Sequence, residues 1–90
     1  MSGAITLEGM RADIAAAIGI APDEVGDRDN LADLGLDSIR AMTLVDRWSA
    51  SGITLTFAEM AEEVELAAWH AIVTRRLAAL IAAQAAGVGR

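Results

Sequence analysis

The sequence predicts an all-α fold, one bundle of four helices with a long first loop and a short third helix. Three observations lead there. Large apolar residues recur at helical spacing in three separate segments. Helix start and stop residues stand at the ends of those segments, with Gly19, Pro22, Gly52 and Thr56 as the clearest. Finally, twenty of the forty-nine apolar residues are alanine, which suits closely packed helices and leaves little volume for an enclosed substrate cavity.

The first helix is expected from about Thr6 to Ile18. Leu7, Met10, Ile14, Ala17 and Ile18 fall within about a third of a turn on a helical wheel and form its apolar stripe. Gly19 and Pro22, the single proline, end it. The connection that follows, "APDEVGDRDNLADLGLD", holds six acids and one arginine. Its leucines at 31, 34 and 36 are too regular for a disordered linker. They are expected to pin the loop across the bundle, with Gly35 supplying the backbone angle that turns Leu34 and Leu36 inward.

The second helix is expected to begin at Asp37-Ser38, run to about Ala50 and stop at Gly52. Thr56, with Glu59 three residues on, reads as a capping box that opens a short third helix. The fourth helix is expected from about Glu65 to Ala86, with Leu66, Trp69, Val73, Leu77 and Leu80 as its stripe and Arg75 and Arg76 toward solvent. The whole chain, 1–90, reads as a single domain with a core over about 5–84 and a flexible tail over 85–90.

Composition excludes several functions. No cysteine is present, so disulfides, thiolate metal sites and thiol catalysis are out. A net charge of −6 argues against nucleic acid, which needs a basic stripe. All seven basic residues are arginine, which with the alanine excess reads as a GC-rich genome's bias. "MSGAITLEG" has neither the basic start nor the apolar core of a signal peptide, and the longest uncharged run, Leu77 to Gly89, is too short to span a bilayer. A soluble, cytoplasmic monomer is the expectation. The acids of Asp27 to Asp33 and of Glu59 to Glu65 lack calcium-loop spacing and read as solvated faces, so no metal site is expected.

The second helix is the most informative element. Ala41, Leu44, Val45 and Trp48 cluster within about 100° of the wheel and form its buried face. Ile39 and Met42 lie off that face, close to Ser38. Either they form a partner surface, or the acidic loop folds over them.

Ser38 itself admits three readings. It is the first helical residue behind the N-cap Asp37 and nothing more; or a nucleophile, whose base could only be His70, the single histidine; or an attachment point. Catalysis is poorly supported, because there is no Gly-x-Ser-x-Gly elbow and no oxyanion loop. Attachment gains from the helix N-terminus, whose free N–H groups and partial positive charge favour a phosphodiester on the serine oxygen.

"LGLDSIRAMTLVDRW" resembles the phosphopantetheine-attachment motif of carrier proteins, most closely that of the aryl carrier proteins of nonribosomal peptide and siderophore synthesis. The likeness runs through Gly35-Leu36-Asp37-Ser38, Arg40, Met42, Leu44 and Arg47-Trp48, then Phe57, Ala61 and Trp69. It implies the carrier-protein bundle, with a 4'-phosphopantetheine on Ser38, transferred from coenzyme A by a phosphopantetheinyl transferase. The arm's thiol would carry an acyl group as a thioester, loaded by an adenylating ligase and passed to a condensation-type enzyme. The chain itself would be non-catalytic, with Asp37 capping beside the attachment site.

Partner docking by Ile39, Arg40, Met42, Phe57 and Ala61 is implied in the same way. Phe57 and Ala61 share one side of the third helix with Met60 and Val64, so the wheel does not separate surface from core there. Two departures stand out. "EEVEL", Glu62 to Leu66, replaces the Asn-Pro-Thr turn common in aryl carriers, so helices three and four either run together or lack the usual cap; and His70 follows Trp69 where an aromatic residue is common.

The exposed side of the second helix carries Arg40 and Arg47 against Asp46, unlike the acidic helix of fatty-acid carriers, which favours aryl or peptidyl cargo. A polyketide or fatty-acyl carrier is the alternative within the class, and an unmodified helical interaction module the alternative outside it. The initiating Met and short flanks lead us to expect a separate protein rather than a piece of a synthetase.

Overall fold

The computed structural model describes residues 5–88, with side chains placed through residue 84. Four α-helices and no strand occur among the described residues: α1 Leu7–Ile18, α2 Ser38–Ser49, α3 Phe57–Met60 and α4 Leu66–Val88. The tail expected over 85–90 lies beyond the described side chains, and its last two residues lie outside the described residues altogether.

The capping signals act where the sequence places them. Thr6 caps α1 by accepting from the Gly9 N–H at 3.0 Å, and Gly19 closes it in the left-handed region at φ 91°. Thr56 and Glu59 form the expected capping box on α3. Helices α3 and α4 do not run together: α3 stops at Met60, and residues 61–65 turn the chain before Leu66.

One core unites the helices. Met10, Ile14, Leu31, Met60, Leu66, Trp69 and Val73 are wholly buried, and Trp48 meets Trp69 edge-on with ring centroids 6.0 Å apart. On α1 the stripe is Met10 and Ile14 with Ala15, while Leu7, Ala17 and Ile18 are half-buried at its margin. On α4 the stripe narrows along the chain, buried at Leu66, Trp69 and Val73 and half-buried at Leu77 and Leu80. By length and mean hydropathy Leu66–Gln84 could cross a bilayer. Its first half packs into the bundle and Arg75 and Arg76 stand mid-window, so it is read as a bundle helix.

The long loop is pinned as expected, and more firmly than its leucines alone require. Val25, Leu31 and Leu36 are buried and Leu34 is half-buried. Gly35 adopts φ 114°, a conformation L side chains rarely take. Pro22–Glu24 forms a 3-10 turn that periodicity did not reveal. Two backbone bonds tie the loop to the head of α4: the Leu31 N–H donates to the Val64 carbonyl and the Ala67 N–H to the Asp27 carbonyl, both at 2.9 Å.

The acids around Asp27 are not simply a solvated face. The Arg11 guanidinium bonds Asp27 at 2.6 Å, Glu8 at 2.9 Å and the Val25 carbonyl at 2.5 Å, joining the loop to α1. Those two carboxylates hold the arginine's pKa well above its ordinary value. Asn30 turns its side-chain oxygen onto the Ala32 and Asp33 N–H groups, closing the turn locally.

Candidate functional site

Ser38 is the first residue of α2 and is exposed. Asp37, the N-cap, is committed to Arg40: its carboxylate accepts the Arg40 backbone N–H at 2.8 Å and the guanidinium at 2.6 Å. The backbone N–H first, then the Arg40 charge, lowers the Asp37 pKa below the usual carboxylate value. The cap therefore looks toward Arg40, and Ser38 beside it stands exposed.

The buried face of α2 is Ala41, Leu44, Val45 and Trp48. Ile39 is 75% exposed and Met42 47%, so the acidic loop does not fold over them. On α3 and in the turn after it the structure separates what the wheel could not. Met60 is wholly buried and Val64 half-buried, whereas Phe57 and Ala61 face outward. An open groove of about 220 Å³ lies between the start of α2 and α3, lined by Ser38, Asp37, Phe57, Ala61, Val64 and Leu36 among others. Ser38, Phe57 and Ala61 thus share one groove, with Ile39 and Met42 exposed on the helix that Ser38 begins.

Arg40 sits at the other edge of α2, where with Thr43 and Arg47 it lines a groove against α1. His70 is half-buried, lies 3.3 Å from the Thr74 hydroxyl one turn along α4, and is not brought to the groove that holds Ser38. The structure supplies Ser38 with no imidazole base there. Among the described residues no cluster of His, Asp and Glu is arranged to hold a metal ion.

One expectation is overturned. Arg76 does not point to solvent: its guanidinium bonds both Glu59 oxygens, at 2.5 and 3.1 Å, and the Thr54 carbonyl at 2.5 Å. Glu59, likewise read as part of a solvated acid cluster, is held at a pKa of about 2 by that guanidinium and by the Thr56 N–H. The partners are seventeen and twenty-two residues away in sequence, beyond the reach of a helical wheel.

The residues beside Ser38 suit a phosphopantetheine group. The hydroxyl stands exposed at a helix N-terminus, which favours a phosphodiester, and a partly apolar groove opens next to it. Comparison with known families decides the assignment: the family described as "Phosphopantetheine attachment site" matches residues 8–69. The chain belongs to that family.

The curated relatives include a carrier protein and segments of larger proteins. The chain is 38% identical over 76 residues to the acyl carrier protein ScoB of Streptomyces coeruleorubidus, covering 84% of this chain and 89% of that one. It is 39% identical over 71 residues to an isochorismatase of Bacillus subtilis, covering 79% of this chain and 23% of the relative. It is 43% identical over 67 residues to the phenyloxazoline synthase MbtB of Mycolicibacterium paratuberculosis, covering 74% of this chain and 6% of the relative. The carrier thus spans nearly the whole of one relative and a small part of the other two. No solved structure matches it.

Proposed function

We propose that Ser38 carries the 4'-phosphopantetheine and that the chain is a non-catalytic carrier of aryl or aminoacyl groups, handed between biosynthetic enzymes. The observation that carries this reading is the position of Ser38. It lies within the matched region, exposed at the first turn of α2, with its cap engaged elsewhere and a groove beside it. The arm's terminal thiol would hold the acyl group as a thioester. The chain's own part is to present the serine, to offer Ile39, Met42, Phe57 and Ala61 as an apolar docking face, and to hold that face rigid.

A phosphopantetheinyl transferase, an adenylating ligase and a condensation-type acceptor are the partners this reading requires. Aryl cargo is favoured by relatives whose names include a phenyloxazoline synthase and an enterobactin synthase component. The arginine-bearing face of α2 supports the same choice over a fatty-acid carrier. A general acyl carrier is the second reading, favoured by the coverage of the acyl carrier protein ScoB.

The test is direct. Incubated with coenzyme A, magnesium and a promiscuous phosphopantetheinyl transferase, the wild type should gain the mass of one phosphopantetheine and Ser38→Ala should gain none. No gain by the wild type, or gain by the variant, overturns the attachment reading. Loading of the holo protein with salicylate by an aryl-acid adenylating ligase supports the aryl reading, and exclusive acceptance of malonyl units supports the second.

A further inference from the structure

We infer that Arg76 is a positioning residue for the docking face, holding α3 so that Phe57 is presented at the correct place and angle. The inference rests on the reading that Phe57 meets partner enzymes.

Four residues are too few for a self-sustaining helix, so α3 must take its position from what grips it. It is gripped at both ends. At the C-terminal end Met60 is wholly buried, and its carbonyl accepts the Trp69 indole N–H at 2.7 Å. At the N-terminal end Leu55 is buried, and Arg76 adds a polar grip, bonding the Glu59 carboxylate and also the Thr54 carbonyl, two residues before the cap Thr56. The same carboxylate accepts the Thr56 N–H at 2.9 Å. One guanidinium therefore joins α4 to the capping box of α3 and to the strand of chain that enters it.

Without Arg76 the segment would keep its apolar anchors on either side, Leu55 and Met60, but would lose the polar tie of Thr54 and Glu59 to α4 and be free to roll about the line between those anchors. Ala61 is next to the Met60 anchor and would move little. Phe57, exposed between the two anchors and off the line that joins them, would move most. The effect should therefore appear in contacts made by Phe57 and not in those made by Ile39 or Met42, which ride on α2.

The shape of the grip also explains why the residue is arginine. Lysine could reach either the carboxylate or the Thr54 carbonyl, but its single ammonium does not span both as the planar fork does.

The experiment uses the holo protein and an aryl-acid adenylating ligase with salicylate, reading KM and kcat for the carrier. Arg76→Ala should raise KM about fivefold with kcat nearly unchanged. Arg76→Lys should fall between Arg76→Ala and wild type. Glu59→Gln, which keeps a capping-box acceptor but loses the charge, should move KM in the same direction. The decisive comparison is a double-mutant cycle. In a Phe57→Ala background Arg76→Ala should add little, whereas in a Met42→Ala background it should retain its full effect.

Equal KM values for Arg76→Ala and wild type overturn the inference, as does an undiminished effect in the Phe57→Ala background. Should Arg76→Ala fail to keep wild-type helix content, the same cycle is run with Glu59→Gln. If Phe57→Ala alone leaves KM unchanged, the docking reading fails. If it raises KM and the Arg76 variants do not, only the positioning role fails.

Discussion

The Trp48 indole N–H donates to Oδ2 of Asp13 at 2.9 Å, joining the last turn of α2 to the middle of α1. The same carboxylate lies 3.7 Å from Arg47. Trp48 is otherwise buried against Trp69, so its one polar atom depends on Asp13. Asp13→Ala should cost about 1–3 kcal/mol, the penalty for leaving such a donor unsatisfied. Asp13→Asn, which keeps an acceptor oxygen, should cost less. Urea denaturation followed by tryptophan fluorescence measures both.

Acid should weaken the α3–α4 clasp in a defined window. Glu59 titrates at about 2 in the folded protein against an ordinary 4.5, because Arg76 and the Thr56 N–H favour its charged form. The unfolded chain thus binds the proton more tightly. The stabilisation is complete above about pH 4.5 and is lost as pH falls from there toward 2. Urea midpoints recorded from pH 6 to pH 2 should drop more steeply for wild type than for Glu59→Gln, which lacks this titration. Parallel curves would show that Glu59 contributes nothing.

Gly35 should resist substitution. Its φ of 114° is hostile to any side chain, and an added Cβ would meet the Ile18 side chain at 3.4 Å. Gly35→Ala is expected to destabilise by about 1–3 kcal/mol, read as a lowered thermal midpoint. Because Leu36 and Ser38 follow at once, the variant should also slow phosphopantetheine transfer more than an equally destabilising change on α1.

Met42→Asp should leave far-UV helix content near wild type while raising KM for ligase loading about tenfold, the size expected of a docking contact. Its 47% exposure makes the fold tolerant of the charge. Loss of helix would place Met42 in the core instead.

Much of this is legible in the sequence alone. The buried face of α2, the place of Ile39 and Met42 off that face, the capping box at Thr56 and the turn at Gly35 all follow from local rules of spacing and backbone angle, whereas whether the acidic loop covers Ile39 and Met42 does not. What stayed hidden depends on which elements meet. Arg76 and Glu59, Arg11 and Asp27, and the backbone bonds from the loop to the head of α4 join residues far apart in sequence. A wheel drawn on one helix marks these side chains as polar and therefore outward. It does not show that another segment's carboxylate or carbonyl waits there. The choice between surface and core on α3 was hidden for a related reason, since four residues make too short a stripe to show a buried side.

Ser38, Phe57 and Ala61 border one groove, and Ile39 and Met42 flank the same serine. An enzyme seated on that patch would cover it, leaving no second berth from which another could reach the attached group. Successive enzymes would then have to take turns, each leaving before the next arrives. Throughput would be set by how quickly each lets go, so tight holding would be a defect. A small, largely apolar patch suits brief encounters of that kind.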